Sequence, residues 1–115
     1  MSTLTHYSEL VAAWAGQHQV INRAWIFGSY ANGTPKPSSD LDVAVELRKT
    51  HIGNCTVITY WFRHSSELEA ALQRLLPIPL DLELFHRYHG SRICGFVKES
   101  NLAPVYRRPR STSQR

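Results

Sequence analysis

Apolar and polar residues change period several times along this chain, and each change marks an element. From a cap at Thr3 or Thr5 to about His18, the residues Leu10, Val11, Trp14 and His18 recur at the short steps that gather side chains on one face of a helix. Residues 24–27 form a short apolar run stopped by Gly28. Residues 41–47 alternate, with Leu41, Val43, Val45 and Leu47 on one face and Asp40, Asp42 and Glu46 on the other. Both stretches read as strands. Between them, Gly33, Pro35 and Pro37 predict a one-turn helix over 30–32 followed by a prolyl loop. Residues 56–76 hold neither proline nor glycine and stop at Pro77, which predicts a long helix; its Tyr60, Trp61 and Phe62 are too widely spread for one buried stripe. After Pro79 alternation returns, with Leu80, Leu82 and Leu84 opposed to Asp81 and Glu83, a third strand. A last helix is expected from Gly90 or Ser91 to near Ser100, then an extended piece over 104–107. The order helix, strand, strand, helix, strand, helix predicts an α/β (α+β) domain, a small mixed sheet flanked by helices.

Composition narrows the class. The chain has 115 residues, 43% hydrophobic and 19% charged, the balance of one globular domain. No apolar run approaches the roughly 20 residues of a membrane span, and the first nine residues lack the basic start and apolar stretch of a secretory signal, so the cytoplasm is the expected compartment. Cys55 and Cys94 show no metal-ligand spacing and read as reduced packing residues. The net charge of +4 is local: Arg107, Arg108, Arg110 and Arg115 account for it, and residues 1–105 carry nine basic and nine acidic side chains. The reading is therefore a neutral domain over 1–106 and a basic, flexible tail over 107–115. That tail is a solvated end or a weak electrostatic contact to an acidic partner or RNA.

The chemistry lies on the polar face of the strands. Asp40 and Asp42 stand two residues apart on one face, and strand pairing can bring Asp81 beside them. Three like charges repel, and a divalent cation relieves them; carboxylates together with substrate phosphates suit Mg²⁺ or Mn²⁺. Ahead of the pair, Gly28 lets a phosphate approach the backbone, and a helix starting at Ser29 offers free N–H groups to an anion. His86 and His89 have a His-x-x-His spacing but no third ligand nearby in sequence, which favours packing or surface roles.

Gly28-Ser29, ten residues, then Asp40-Leu41-Asp42 resembles the signature of the DNA polymerase β-like nucleotidyltransferases. Four such positions at fixed spacing arise by chance in on the order of one chain of this length in a thousand. The stretches 27–33 and 39–45 look like the minimal nucleotidyltransferase (MNT) branch, and Leu80-Asp81-Leu82 resembles its third strand. The resemblance runs from about Ala24 to Phe85 and implies the polymerase β-like fold. It also implies roles. Ser29, with Gly28, binds the β or γ phosphate of ATP, Asp40 and Asp42 hold the nucleotide-bound Mg²⁺, and Asp81 shares a second ion and assists the acceptor hydroxyl. Glu83, on the same strand face, is the other choice for the third carboxylate. Many members of the family carry arginine where this chain has Tyr30 or Asn32, so a cationic phosphate contact is absent or comes from Lys36.

Relatives of this branch are commonly antitoxins that transfer AMP from ATP to a tyrosine of a HEPN-domain ribonuclease toxin. The resemblance therefore implies such a partner, with Tyr60 to Phe62 as its contact or else as core or homodimer residues. An antitoxin acting by binding alone, and an enzyme modifying a small molecule or an RNA end, are the alternatives.

Overall fold

The computed structural model describes residues 3–33, 39–48, 56–85 and 103–109. Seven elements follow in order: α1 (Thr3–Gln17), β1 (Ile21–Phe27), α2 (Ser29–Asn32), β2 (Leu41–Leu47), α3 (Val57–Gln73), β3 (Leu80–Leu84) and β4 (Tyr106–Arg107). The strands make one mixed sheet in the order β3-β2-β1-β4. β1 runs antiparallel to both β2 and β4, whereas β2 and β3 are parallel. A parallel pair needs a long crossover, and α3 supplies it.

The two periods place the core. Leu41, Val43, Val45 and Leu47 turn to the helices and are buried, joined there by Ile21, Ala24 and Ile26 of β1. Tyr7, Val11, Trp14 and Ala15 of α1 and Val57, Leu68 and Leu72 of α3 close over them. Trp14 is buried without an orphan donor, because its indole N–H reaches the Leu68 carbonyl at 3.1 Å. Helix α3 starts where Thr56 caps it, its hydroxyl accepting from the Thr59 N–H at 3.1 Å.

β1 begins three residues before the apolar run that suggests it, because Ile21 is the buried start of a strand whose next two residues, Asn22 and Arg23, are polar. Tyr60 and Trp61 are half-buried against the core, and Phe62 is 80% exposed. Among the described residues no helix is long and apolar enough to cross a membrane.

The basic tail expected from Arg107 does not start there. Arg107 lies in β4, in register with Arg23. Arg108 is tied to the fold: its Nη2 donates to the carbonyls of Ala15 (3.1 Å) and His18 (2.9 Å), and its Nε to that of Ile21 (2.9 Å). Carbonyls at a helix C-terminus lack intrahelical donors, and a guanidinium satisfies them while its charge suits that end of the dipole. Arg110 to Arg115, the last helix expected at about 90–100, Lys36, Cys55, Cys94, His86 and His89 lie outside the described residues.

Candidate active site

β1 and β2 deliver the first half of the site. Phe27, the last residue of β1, stands opposite Asp42. The next residue, Gly28, has φ +75°, a conformation that side chains disfavour. Space imposes the same choice, because a Cβ at Gly28 would overlap Asp42 Oδ2 and lie 3.0 Å from its Cγ. The glycine thus turns the chain from β1 into α2 directly against the Asp42 carboxylate. The backbone of Ser29 opens α2 at this point, and its side chain, with the hydroxyl contact expected of it, lies outside the description.

β3 delivers the second half. Its parallel register with β2 pairs Asp42 with Asp81, and Ala44 with Glu83. Residues paired across strands present their side chains on the same face. Asp81 hydrogen-bonds the Asp42 side chain, whereas Glu83 lies one same-face position further along and acts on Asp42 through its charge. Of the two candidates for third carboxylate, Asp81 is therefore the one brought against Asp42. Asp40 is exposed, two residues before Asp42, and close enough for its charge to act there as well.

The electrostatic result is a strained acid. Burial first, then the charges of Asp81, Asp40 and Glu83 and the hydrogen bond with Asp81, together push the Asp42 carboxyl up to about 6. Three carboxylates share the field around a fourth.

This donor set fits a hard divalent cation. It is all oxygen, and its repulsion is what a cation would relieve. Among the described residues no group of three His, Cys, Asp or Glu side chains forms a ready cage. Asp42 and Asp81 are the pair in contact, with Asp40 beside them. That is an incomplete oxygen donor set, which a divalent cation would need further ligands to complete.

Glu46 shares the polar face of β2, but the structure removes it from the site. Arg23 holds it in a two-pronged ion pair, Nε–Oε1 2.7 Å and Nη2–Oε2 2.8 Å, and Asn22 Nδ2 adds a bond of 2.8 Å to Oε1. The Arg23 guanidinium also lies 5.2 Å from the centre of the Trp25 ring. Trp25 in turn packs on Phe85 at 4.8 Å, so an apolar patch occupies the same face as Asp42 and Asp81. Tyr30, named above as one of the two departures from the family's arginine, is half-buried and meets Tyr7 edge-on at 5.6 Å. A cleft of about 370 Å³ lies away from the carboxylates, lined by His18, Val20, Tyr60, His64, Glu67 and Leu68 among others.

The family model described as polymerase beta, nucleotidyltransferase matches residues 9–101, most of the chain and every residue of this constellation. The chain belongs to the polymerase β nucleotidyltransferase family. A nucleotidyltransferase of this family moves a nucleotidyl group from a nucleoside triphosphate to an acceptor, generally with divalent metal. The chain is also similar to a Sulfolobus solfataricus protein described as a candidate nucleotidyltransferase, at 17% identity and TM-score 0.45, over 91% of this chain and 80% of that one. No curated protein matches it.

Proposed function

We propose that this nucleotidyltransferase is a Mg²⁺-dependent adenylyltransferase and an antitoxin, which transfers AMP from ATP to a tyrosine of a partner HEPN-domain ribonuclease. The observation that carries the catalytic half is the register pair Asp42–Asp81 beside the Gly28 turn. The Gly28-Ser29 backbone receives the triphosphate, and Asp40 and Asp42 face its α-phosphate. Bound Mg²⁺ would neutralise the carboxylates and the charge that develops on the attacking and leaving oxygens. The tyrosine oxygen forms a bond to the α-phosphorus in line with the leaving group, the bond from that phosphorus to the bridging oxygen breaks, and pyrophosphate departs. Asp81 takes the tyrosine proton.

Two features favour a protein acceptor. One is the resemblance to the minimal nucleotidyltransferases. The other is Phe62, a large apolar side chain left 80% exposed on α3, the kind of aromatic that anchors protein interfaces.

The deciding experiment incubates the chain with α-labelled ATP, Mg²⁺ and a HEPN-domain ribonuclease as the partner. Label is expected on one partner tyrosine and none with Asp40→Ala/Asp42→Ala. If the double variant still inhibits the partner fully and no label appears, the chain acts by binding. Label on an aminoglycoside or an RNA end instead would replace the partner as acceptor.

A further inference from the structure

Gln73 closes α3, and both ends of its carboxamide are engaged. Nε2 donates to the Ile78 carbonyl at 2.8 Å, and Oε1 accepts from the Leu80 N–H at 3.0 Å. One side chain thus pairs with the two backbone groups on either side of Pro79, as a residue of a neighbouring strand would. The other edge of the same segment faces β2, where the Leu41 N–H donates to the Pro79 carbonyl at 2.9 Å. The entry to β3 is held between β2 and Gln73, and the second residue of that strand is Asp81.

We propose that Gln73 is a positioning residue for Asp81: its carboxamide fixes the start of β3 at the register where Asp81 meets Asp42. The proposal rests on the reading of Asp81 as the third carboxylate. Register matters here because side chains alternate with period two. A slip of β3 by one residue would set Leu80 or Leu82 opposite Asp42 and turn Asp81 toward the helices. Such a slip also carries Ile78 and Leu80 away from Gln73, so both bonds oppose it. β3 has five residues, which gives its pairing with β2 little length over which to select one register.

Gln73→Met keeps the length of the side chain and removes both bonds. The full chain without nucleotide is titrated with Mn²⁺ alone, followed by electron paramagnetic resonance, alongside thermal midpoints and amide exchange at Leu80. Gln73→Met is expected to bind Mn²⁺ about tenfold more weakly, the scale on which residues behind a metal ligand act, and its Leu80 amide to exchange faster. In an Asp81→Asn background the same substitution should cost no further affinity. A lowered midpoint with unchanged Mn²⁺ affinity would overturn the proposal, as would an equal loss in both backgrounds. If Asp81→Asn leaves Mn²⁺ binding unchanged, the reading of Asp81 fails and the proposal falls with it. If Asp81→Asn weakens binding and Gln73→Met does not, the proposal alone falls. Should Gln73→Met not fold, Gln73→Glu, which retains an acceptor for the Leu80 N–H, replaces it. Weakened Mn²⁺ binding then supports the proposal, and unchanged binding overturns it.

Discussion

The two faces of β2 are made by the same seven residues and do opposite things. Toward the helices, Leu41, Val43, Val45 and Leu47 are sealed from water, and their side chains can be exchanged for others of similar shape at modest cost. Away from the helices, Asp42 and Glu46 are half-buried acids four residues apart. Glu46 is neutralised by Arg23 with good geometry. Asp42 instead has acids around it and an elevated pKa. One face stores stability, and part of the other sets like charges together at a cost to it. An acid with other acids around it beside a glycine turn is thus a more informative sign of function than the acidic face as a whole.

That contrast can be broken at four points. Asp42→Asn should lower nucleotidyl transfer by on the order of 10³-fold, several kcal/mol of charge stabilisation, measured as initial rate at saturating ATP and Mg²⁺. The fold should survive it.

Leu41→Ala should do the reverse. It empties a fully buried position in the core, so urea unfolding should show a loss of about 2–5 kcal/mol, with activity per folded molecule near the parent's. A large loss of activity per folded molecule would mean that the two faces are not separable.

Gly28→Ala sharpens the boundary between them. The added methyl meets the Asp42 carboxylate, and the positive φ alone costs roughly 1–2 kcal/mol. Activity should fall by about 10²-fold, approaching three kcal/mol of transition-state stabilisation, because Asp42 must move.

The smallest effect is on pH dependence. The folded Asp42 pKa, about 6, lies above its ordinary value of 3.8, so the folded state binds this proton more tightly than the unfolded one. The contribution to stability is therefore complete below the ordinary value and lost as pH rises through about 6. Without metal, Asp42→Asn should be more stable than the parent at pH 7.5, and the difference should shrink toward pH 4. Added Mg²⁺ should stabilise the parent more than the variant. Denaturation curves at the two pH values, with and without Mg²⁺, test both statements; a gap that widens toward acid would contradict the assigned shift.

Much of the scaffold is legible in the residues themselves. The alternation over Leu41–Leu47 coincides with β2 end to end, and the stretch free of proline and glycine contains α3, with Thr56 as its cap. Such elements follow from neighbours a few positions apart, as do the spacing of Gly28-Ser29 from Asp40 and Asp42 and the membership of the family that this spacing signals. Arg23 and Arg108 are not legible in the same way. Nothing near Arg23 in sequence says that it will neutralise an acid 23 residues later, and nothing near Arg108 says that it will cross to the end of α1. Composition reads Arg107 and Arg108 as solvated charge, because composition counts a guanidinium without knowing which carbonyls await it.

The local sequence thus determined most of the described elements, the apolar face of β2 and the spacing of Gly28-Ser29 from Asp40 and Asp42, because periodicity and turn chemistry act over a few residues. Tertiary structure alone decided which acids are brought together. Asp81 and Glu83 are equivalent by alternation, and Asp42 and Glu46 share a face. Register between strands separated by the α3 crossover, held by the Leu41–Pro79 hydrogen bond and by Gln73, sets Asp81 against Asp42, while pairing with β1 gives Glu46 to Arg23. A one-residue shift in either pairing would reverse the faces without changing a single residue.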